Sequence, residues 1–535
     1  MAKPQTVFVR DATGLVKQFS TTDVLLIAAA LVFSLQAVSV QFPWYAGFDP
    51  GADLRVALLI AAVPFILLML VYWAAGVIMP RSGSDYVWVG RIFGPAVGFA
   101  WSAYYLLALF GAGYAASVVS VVYGLSSSMS IWGFLYNSPG LVATATWLSA
   151  PMGTFLLSTL LTLLFAAVAL YGYRAIRILL YGGWAFAILG IALMWYYLSV
   201  TNPTSFAATW DSILSQYTSY EGILKVATQQ GWTPATITLS ASLASIPIAV
   251  LFLLGGNYVN AVSGEIKNVG YAVPISLLLS LFLGVGFWAL SSTLTINAVG
   301  YNWMSAVGYL FDNAPAAWNS AVPYPPSMPL MLSLVAFPNA TAILLIELAF
   351  VIGSFPTLFF YYWIPSRYFF AWGFDRILPA KISDVSERFR TPHWSIFGIT
   401  AISVVYLVLF NFTSWPSAFA VATLIWFSSF ILPSLAVAIV PFVKKDAFQL
   451  APGFMKKQVG GIPMITIIGL LSTLSFSYMT YISFLNPLLA TVTTVGAYAT
   501  GGVILLALVL FYVSVEYHKR KGIDIRLAFK EIPPE

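Results

Sequence analysis

The chain has no cysteine in 535 residues, so disulfides, thiolate metal sites and cysteine nucleophiles are excluded. Histidine is almost as scarce. The two present, His393 and His518, fall in charged loop or tail segments, so no imidazole cluster is expected to hold a metal. Charge is short as well: Asp, Glu, Lys and Arg make up 8% of the chain, against about 25% in a soluble domain. A chain this long cannot coat a water-facing surface with so little charge. A soluble enzyme, a nucleic-acid binder and a disordered protein are all excluded. No Gly-Lys pair occurs, so no phosphate-binding P-loop exists, and direct ATP drive would need a separate subunit.

What is present is apolar. Hydrophobic residues make up 60% of the chain and aromatic residues 16%, and Trp and Tyr favour the lipid–water boundary. This composition predicts an all-α integral membrane protein that meets the lipid bilayer on most of its surface. A spanning helix needs about 20 mainly apolar residues. Twelve stretches qualify: 22–42, 54–79, 93–124, 152–172, 178–200, 240–264, 271–297, 339–370, 394–412, 416–441, 462–486 and 488–517. Three longer links, 125–151, 201–239 and 298–338, are rich in Ser, Thr, Asn, Pro and Trp and poor in basic residues. The stretch before Thr22 is polar and the first apolar run is long, so no cleavable leader is expected.

Orientation follows from the placement of basic residues. With twelve spans, every one of the 24 Lys and Arg residues except Arg55 and Lys225 falls on the side of the termini. Both ends are therefore expected in the cytoplasm of a plasma-membrane protein, with the long links outside. Asn339-Ala-Thr341 and Asn411-Phe-Thr413 match the N-glycosylation pattern at predicted outer helix ends, and chance is the better account of so short a motif.

Local breaks carry the functional reading. In the sixth stretch, Pro247, the pair Gly255-Gly256, Asn257 and Asn260 all disfavour a continuous helix. Two readings are open: a discontinuous helix whose loose backbone contacts a solute, or a glycine face for helix packing. In the first stretch, Ser34, Gln36, Ser39 and Gln41 interrupt an apolar run. Polar side chains of this kind should face the protein interior. Irregular spans five apart suggest a five-helix repeat, which must be inverted in the membrane, as in secondary transporters.

One acid, Glu347, sits well inside a span, about 12 Å from the outer end of the eighth. A carboxyl at that depth is a candidate proton carrier, or a neutral hydrogen-bonded link between helices. Further along, Ser354 and Thr357 flank Pro356. Their hydroxyls could ligate sodium or satisfy their own helix carbonyls. H+ and Na+ are thus the candidate coupling ions, and no other cofactor is expected. Gly90, Gly94 and Gly98 form a small-residue stripe suited to close helix approach. Tyr104 and Tyr105 could line a cavity or pack as aromatics. Asp85 with Arg91, and Glu265 with Lys267 or Arg367, are candidate ion pairs on the inner face.

Three segments together resemble the amino acid–polyamine–organocation (APC) superfamily of permeases. Pro80-Arg-Ser-Gly-Ser-Asp-Tyr, followed by Gly94-Pro-Ala-Val-Gly98, is similar to that family's loop after the second helix. Gly255-Gly-Asn with Glu265-Ile-Lys-Asn268 is similar to its sixth helix, and Ser366-Arg through Asp375-Arg-Ile-Leu-Pro379 to the segment after its eighth. The resemblance covers roughly 20–440 and implies a leucine-transporter-like fold. Its parts would be a tail over 1–21, a five-helix repeat over 22–200 and an outer loop over 201–239. A second, inverted repeat over 240–441, two peripheral helices over 442–517 and a tail over 518–535 would follow.

It further implies a transporter rather than an enzyme, working by alternating access on amino acids or related small organic solutes. The solute would sit between the breaks of helices one and six. Carried onto this chain, the contact residues would be Phe33, Ser34, Leu35 and Gln36 with Leu251, Phe252, Gly255, Gly256 and Asn257, Phe252 acting as a lid. A solute sensor with the same fold, or an exchanger of other organic amines, is the alternative. The chain departs from the family at three points. It has no Gly-x-Gly in the first helix, a neutral Asn257 at an often acidic position, and no lysine over 178–200. The second departure argues against arginine or polyamines as solutes.

Overall fold

The computed structural model describes residue 9 and residues 13–33, 35–39, 45–48, 50–413, 422–485 and 494–531. Among these, eleven helices are long and apolar enough to cross a membrane. They are Leu54–Ile78, Pro95–Leu135, Pro151–Tyr171, Tyr173–Val200, Ile246–Glu265, Val269–Val299, Ala340–Phe374, His393–Phe412, Leu424–Val443, Met464–Leu485 and Gly496–Lys519. They correspond in order to the second through twelfth stretches read from the sequence, and are called the second to twelfth spans below. In hydrocarbon, each backbone amide must find its partner inside the segment, which is why an apolar run this long winds into a helix.

The first expected stretch is not one helix. A twelve-residue helix, Thr21–Val32, ends at Phe33, and a second, Leu35–Ser39, follows. A capping box starts the first piece: the Ser20 hydroxyl accepts from the Asp23 amide while the Asp23 carboxylate accepts from the Ser20 amide.

The third span overruns its expected end at 124 and reaches Leu135. The serines that suggested a loop satisfy themselves within or beside the helix. Ser127 donates to the Tyr123 and Pro325 carbonyls, Ser126 to that of Ala145 and Ser130 to that of Ser127. A wide turn over Leu109–Ala115 interrupts its middle. The three polar links are short helices rather than open loops, among them Pro139–Ser149, Pro203–Leu214, Tyr220–Gln229, Tyr301–Asn313 and Met328–Ala336. A two-stranded antiparallel hairpin pairs Gln458–Val459 with Ile462–Pro463.

Small residues set the helix approaches. A Cβ on Gly284 of the seventh span would stand 2.1 Å from Val32. On Gly183 of the fifth span it would stand 2.4 Å from Pro356 of the eighth. The Gly90–Gly98 stripe does serve close packing, but not along one helix. Gly94 turns the chain at φ 101°, so Gly90 of the helix Asp85–Phe93 lies against Gly98 of the third span. Phe19 and Glu531, toward the two ends of the described residues, lie on one face. Phe19 pairs with Ile266 at the end of the sixth span, and the Glu531 carbonyl accepts from Arg91. We call this the terminal face.

Candidate functional site

The two broken helices meet. Beyond Ala249 the sixth span tightens over Val250–Leu253, extends at Leu254 (ψ 149°) and reverses at Gly255 (φ 113°). It then resumes as a tight helix, Gly256–Glu265. A Cβ on Gly255 would stand 2.6 Å from Leu31 Cβ, in the last turn of the first helix piece. Gly255 is thus both the break in the helix and a packing contact. Glycine is needed twice over, for the left-handed φ and for the approach.

A helix end leaves carbonyls without partners. Here side chains from the seventh and eighth spans reach two of them, at Val32 and Ala30, and one from the fifth span reaches the Leu26 carbonyl further back in the helix. Trp184 Nε1 donates to the Leu26 carbonyl at 2.9 Å, Thr357 Oγ1 to that of Ala30 at 2.6 Å and Trp288 Nε1 to that of Val32 at 2.9 Å. The same tryptophans belong to an arc of rings that joins the two breaks. Phe33 lies 6.0 Å from Trp184 and 5.2 Å from Phe287, Phe287 lies 4.9 Å from Trp288, and Trp288 lies 4.7 Å from Phe252. Phe33 and Phe252, named from sequence, thus belong to one aromatic wall that runs from Trp184 to Phe252. Trp184, Phe287 and Trp288 were not singled out, since aromatics at helical spacing in an apolar run carry no local mark.

Leu35 is buried and fits against Gly190 and Gly353. Gly256 faces Ser280 and Val32. Leu251 is half-buried. Ser34 and the side chain of Gln36 lie outside the described residues.

Beneath Gly255, toward the terminal face, the interior is polar and incompletely paired. Among the described residues, neither amide atom of Asn257 has a hydrogen-bond partner, nor do the Tyr258 hydroxyl, the Tyr105 hydroxyl and Asn260 Oδ1, though all are buried. Tyr105 stacks on Trp101 as well as approaching Tyr258, whereas the Tyr104 hydroxyl is bonded to Ser428. Buried polar groups are nearly always paired, so such a cluster asks for a ligand, water or a change of conformation.

The ion-coupling candidates divide. Thr357 reaches the first-helix break through Ala30, whereas Ser354 donates to the Phe350 carbonyl of its own helix at 2.6 Å. Glu347 stands apart from the breaks. It is half-buried in a crevice between the third and eighth spans, accepting from Ser128 Oγ at 3.0 Å.

The terminal face is sealed. Glu265 and Arg367 form a two-pronged pair at 2.9 and 2.8 Å, both nearly unexposed, with the guanidinium 3.7 Å above the Trp363 ring. Lys267 is not the partner of Glu265; its amide donates to the Phe19 carbonyl, while Gln18 and Phe19 donate to that of Glu265. The expected Asp85–Arg91 pair does not form. The two residues lie six apart on one short helix, and only neighbours three or four apart share a face. Arg91 instead grips Asp375 through two bonds of 2.8 Å, beneath Phe529 of the C-terminal segment. Asp85 accepts from Tyr72 at 2.6 Å and from Tyr368.

Asp23 was passed over because it stands at a helix start rather than inside a span. It is fully buried, accepts from Tyr173 and Tyr181 of the fifth span, and pairs with Arg177 at 3.2 Å. The Ser20-x-x-Asp23 spacing was the available signal.

A helix broken at mid-course, seated on a second broken helix within a bundle of apolar spans, is an arrangement that secondary transporters use. No curated protein matches the chain. The model of one family, described as amino acid permease, matches residues 19–510, a stretch that takes in both breaks, the aromatic wall and the sealed face. The chain therefore belongs to the amino acid permease family of the APC superfamily and is a multi-span membrane transporter.

Proposed function

We propose that the chain is a secondary-active, alternating-access carrier of amino acids or related small organic solutes, holding its cargo between the breaks of the first and sixth helices. The fold would be two inverted five-helix repeats followed by two peripheral helices, with both termini in the cytoplasm of a plasma-membrane protein. The observation that carries this reading is the seating of Gly255 on Leu31, with the unpaired Asn257 two residues on. Bent backbone at membrane depth is tolerated where it is enclosed in protein or lines a solute path.

Coupling is assigned to a proton through Glu347, the ionisable group that faces the third span. Sodium at Ser354 and Thr357 is the competing assignment. The bond from Thr357 to the Ala30 carbonyl weighs on both sides. It brings a hydroxyl to the break, and it already uses that hydroxyl.

The test is uptake of labelled amino acids, offered singly, into proteoliposomes under an imposed proton or sodium gradient. Accumulation above the equilibrium level supports the reading. Binding without uptake or exchange points to a solute sensor and overturns it. The Glu347→Gln variant should lose accumulation driven by a proton gradient while keeping solute exchange. A variant that still concentrates solute under that gradient removes Glu347 from the coupling step.

A further inference from the structure

Asp85 is a buried carboxylate that the reading above does not use. It begins the helix Asp85–Phe93, in the link between the second and third spans, and is 1% exposed. Among the described residues no arginine, lysine or histidine pairs with it, whereas Arg91 and Arg367 close their own pairs with Asp375 and Glu265. A buried anion without a cation is expensive, and the structure meets that cost with phenols. Tyr72 Oη donates to Oδ2 and Tyr368 Oη to Oδ1, with the Tyr86 amide adding a third bond at 3.2 Å. Tyr72 belongs to the second span and Tyr368 to the end of the eighth. The carboxylate is therefore a knot between two spans far apart in the chain.

The remaining titratable groups around this knot are further phenols: Tyr105 of the third span, 6.0 Å from the Tyr368 ring, and Tyr258 of the sixth, 6.0 Å from Tyr105. Tyr72 also borders the Asn257 amide. The cluster thus runs from the terminal face to the residue just below the Gly255 break. Backbone strain marks the position independently. Ser84, directly before Asp85, sits at φ 46°, a conformation a non-glycine residue keeps only where its surroundings impose it.

We propose that Asp85 is a proton-binding site on the terminal face, and that taking up a proton loosens the tie between the second and eighth spans that must part for the carrier to open there. This rests on the alternating-access reading. Hydrogen bonds to an ionised acceptor are roughly twice as strong as neutral ones. A proton on Asp85 Oδ1 or Oδ2 removes that charge assistance from both tyrosines and puts a donor where an acceptor stood. A proton also needs no cavity, which suits a carboxylate whose two oxygens are already covered. Burial pushes the Asp85 carboxyl up to about 6, against the downward pull of the Tyr368 and Tyr72 hydrogen bonds. Above that pH the carboxylate is ionised and the knot is tied; below it the knot loosens.

The absence of cysteine makes the test clean, since spin labels at Val77 and Ala380, near the ends of the second and eighth spans, would be the chain's sole thiol adducts. In the reconstituted full chain, their separation should lengthen as pH falls from about 8 to about 5, with a midpoint near the carboxyl titration range of Asp85. Infrared difference spectra over the same interval should show a protonated-carboxyl component that Asp85→Asn removes and Glu347→Gln leaves in place, and the labels of Asp85→Asn should hold the longer separation at every pH. Tyr368→Phe keeps the carboxylate and removes one donor, so its midpoint should move up by about one pH unit.

A wild-type separation that ignores pH overturns the proposal, as does a midpoint unmoved by Tyr368→Phe, which is decisive even if Asp85→Asn does not fold. Neither readout requires solute movement, so failure here is distinct from failure of the transport reading.

Discussion

Two polar layers lie one above the other in this protein and are treated in opposite ways. On the terminal face two pairs of opposite charges are buried together. Glu265 meets Arg367, Arg91 meets Asp375, and the main chain of Gln18, Phe19 and Lys267 adds a short bridge across the same seam. Just above, beneath the Gly255 break, Asn257, Tyr258, Tyr105 and Asn260 carry buried polar atoms without a hydrogen-bond partner among the described residues. The first layer is built to hold one arrangement. The second gives up stability in this arrangement, which is reasonable for groups that find partners in another one or on a ligand. The contrast puts the paired charges and the unpaired polar groups in separate layers, joined by the tyrosines around Asp85.

The comparison can be broken most severely at the seal. Arg367→Ala leaves the Glu265 carboxylate buried and alone, which costs about 3–5 kcal/mol for such pairs. The detergent-solubilised variant should melt far below the wild type. The double variant Glu265→Ala with Arg367→Ala should recover most of the loss, because no charge is then stranded. A single variant as stable as the wild type would show that the pair does not hold the face.

The break gives the next largest effect. Gly255→Ala meets both a left-handed φ of 113° and Leu31 Cβ at 2.6 Å. Strained backbone and overpacking each cost about 1–3 kcal/mol. Gly286→Ala, in the seventh span with open space around it, is the control and should be neutral. Equal melting temperatures for the two variants would mean that the helix does not turn at Gly255.

The smallest effect has the opposite sign. Asn257→Leu removes two orphaned polar atoms, each of which costs about 1–3 kcal/mol while unpaired. The variant should melt at or above the wild-type temperature and lose any stabilisation by solute. Clear destabilisation would show that Asn257 is paired after all and would erase the difference between the layers.

Much of this architecture was legible in the chain. Hydrophobic length located the spans, because a backbone in lipid has no option but to wind. The breaks were legible too. Gly255-Gly256 after Pro247 weakens a helix by its own chemistry, and Gln36 with Ser34 is costly in an apolar run. The length of the third span was not legible, since Ser126, Ser127 and Ser130 look like loop residues until their hydroxyls find the Ala145, Tyr123 and Ser127 carbonyls. The wall of Trp184, Phe287 and Trp288 was hidden for a related reason, as an aromatic in a membrane helix looks the same whether it faces lipid or a break.

By itself, then, the sequence determined where the chain enters and leaves the apolar layer and where its helices are weak. Both depend on properties of neighbouring residues: side-chain transfer energy, missing Cβ atoms, a missing amide. Only the tertiary structure decided which groups satisfy one another. Arg91 turned to Asp375 and not to Asp85, Thr357 to Ala30 and not to its own helix, and Asp85 to two phenols in place of a cation. Such choices are settled by distances between segments far apart in the chain, and those distances exist only once the spans have packed.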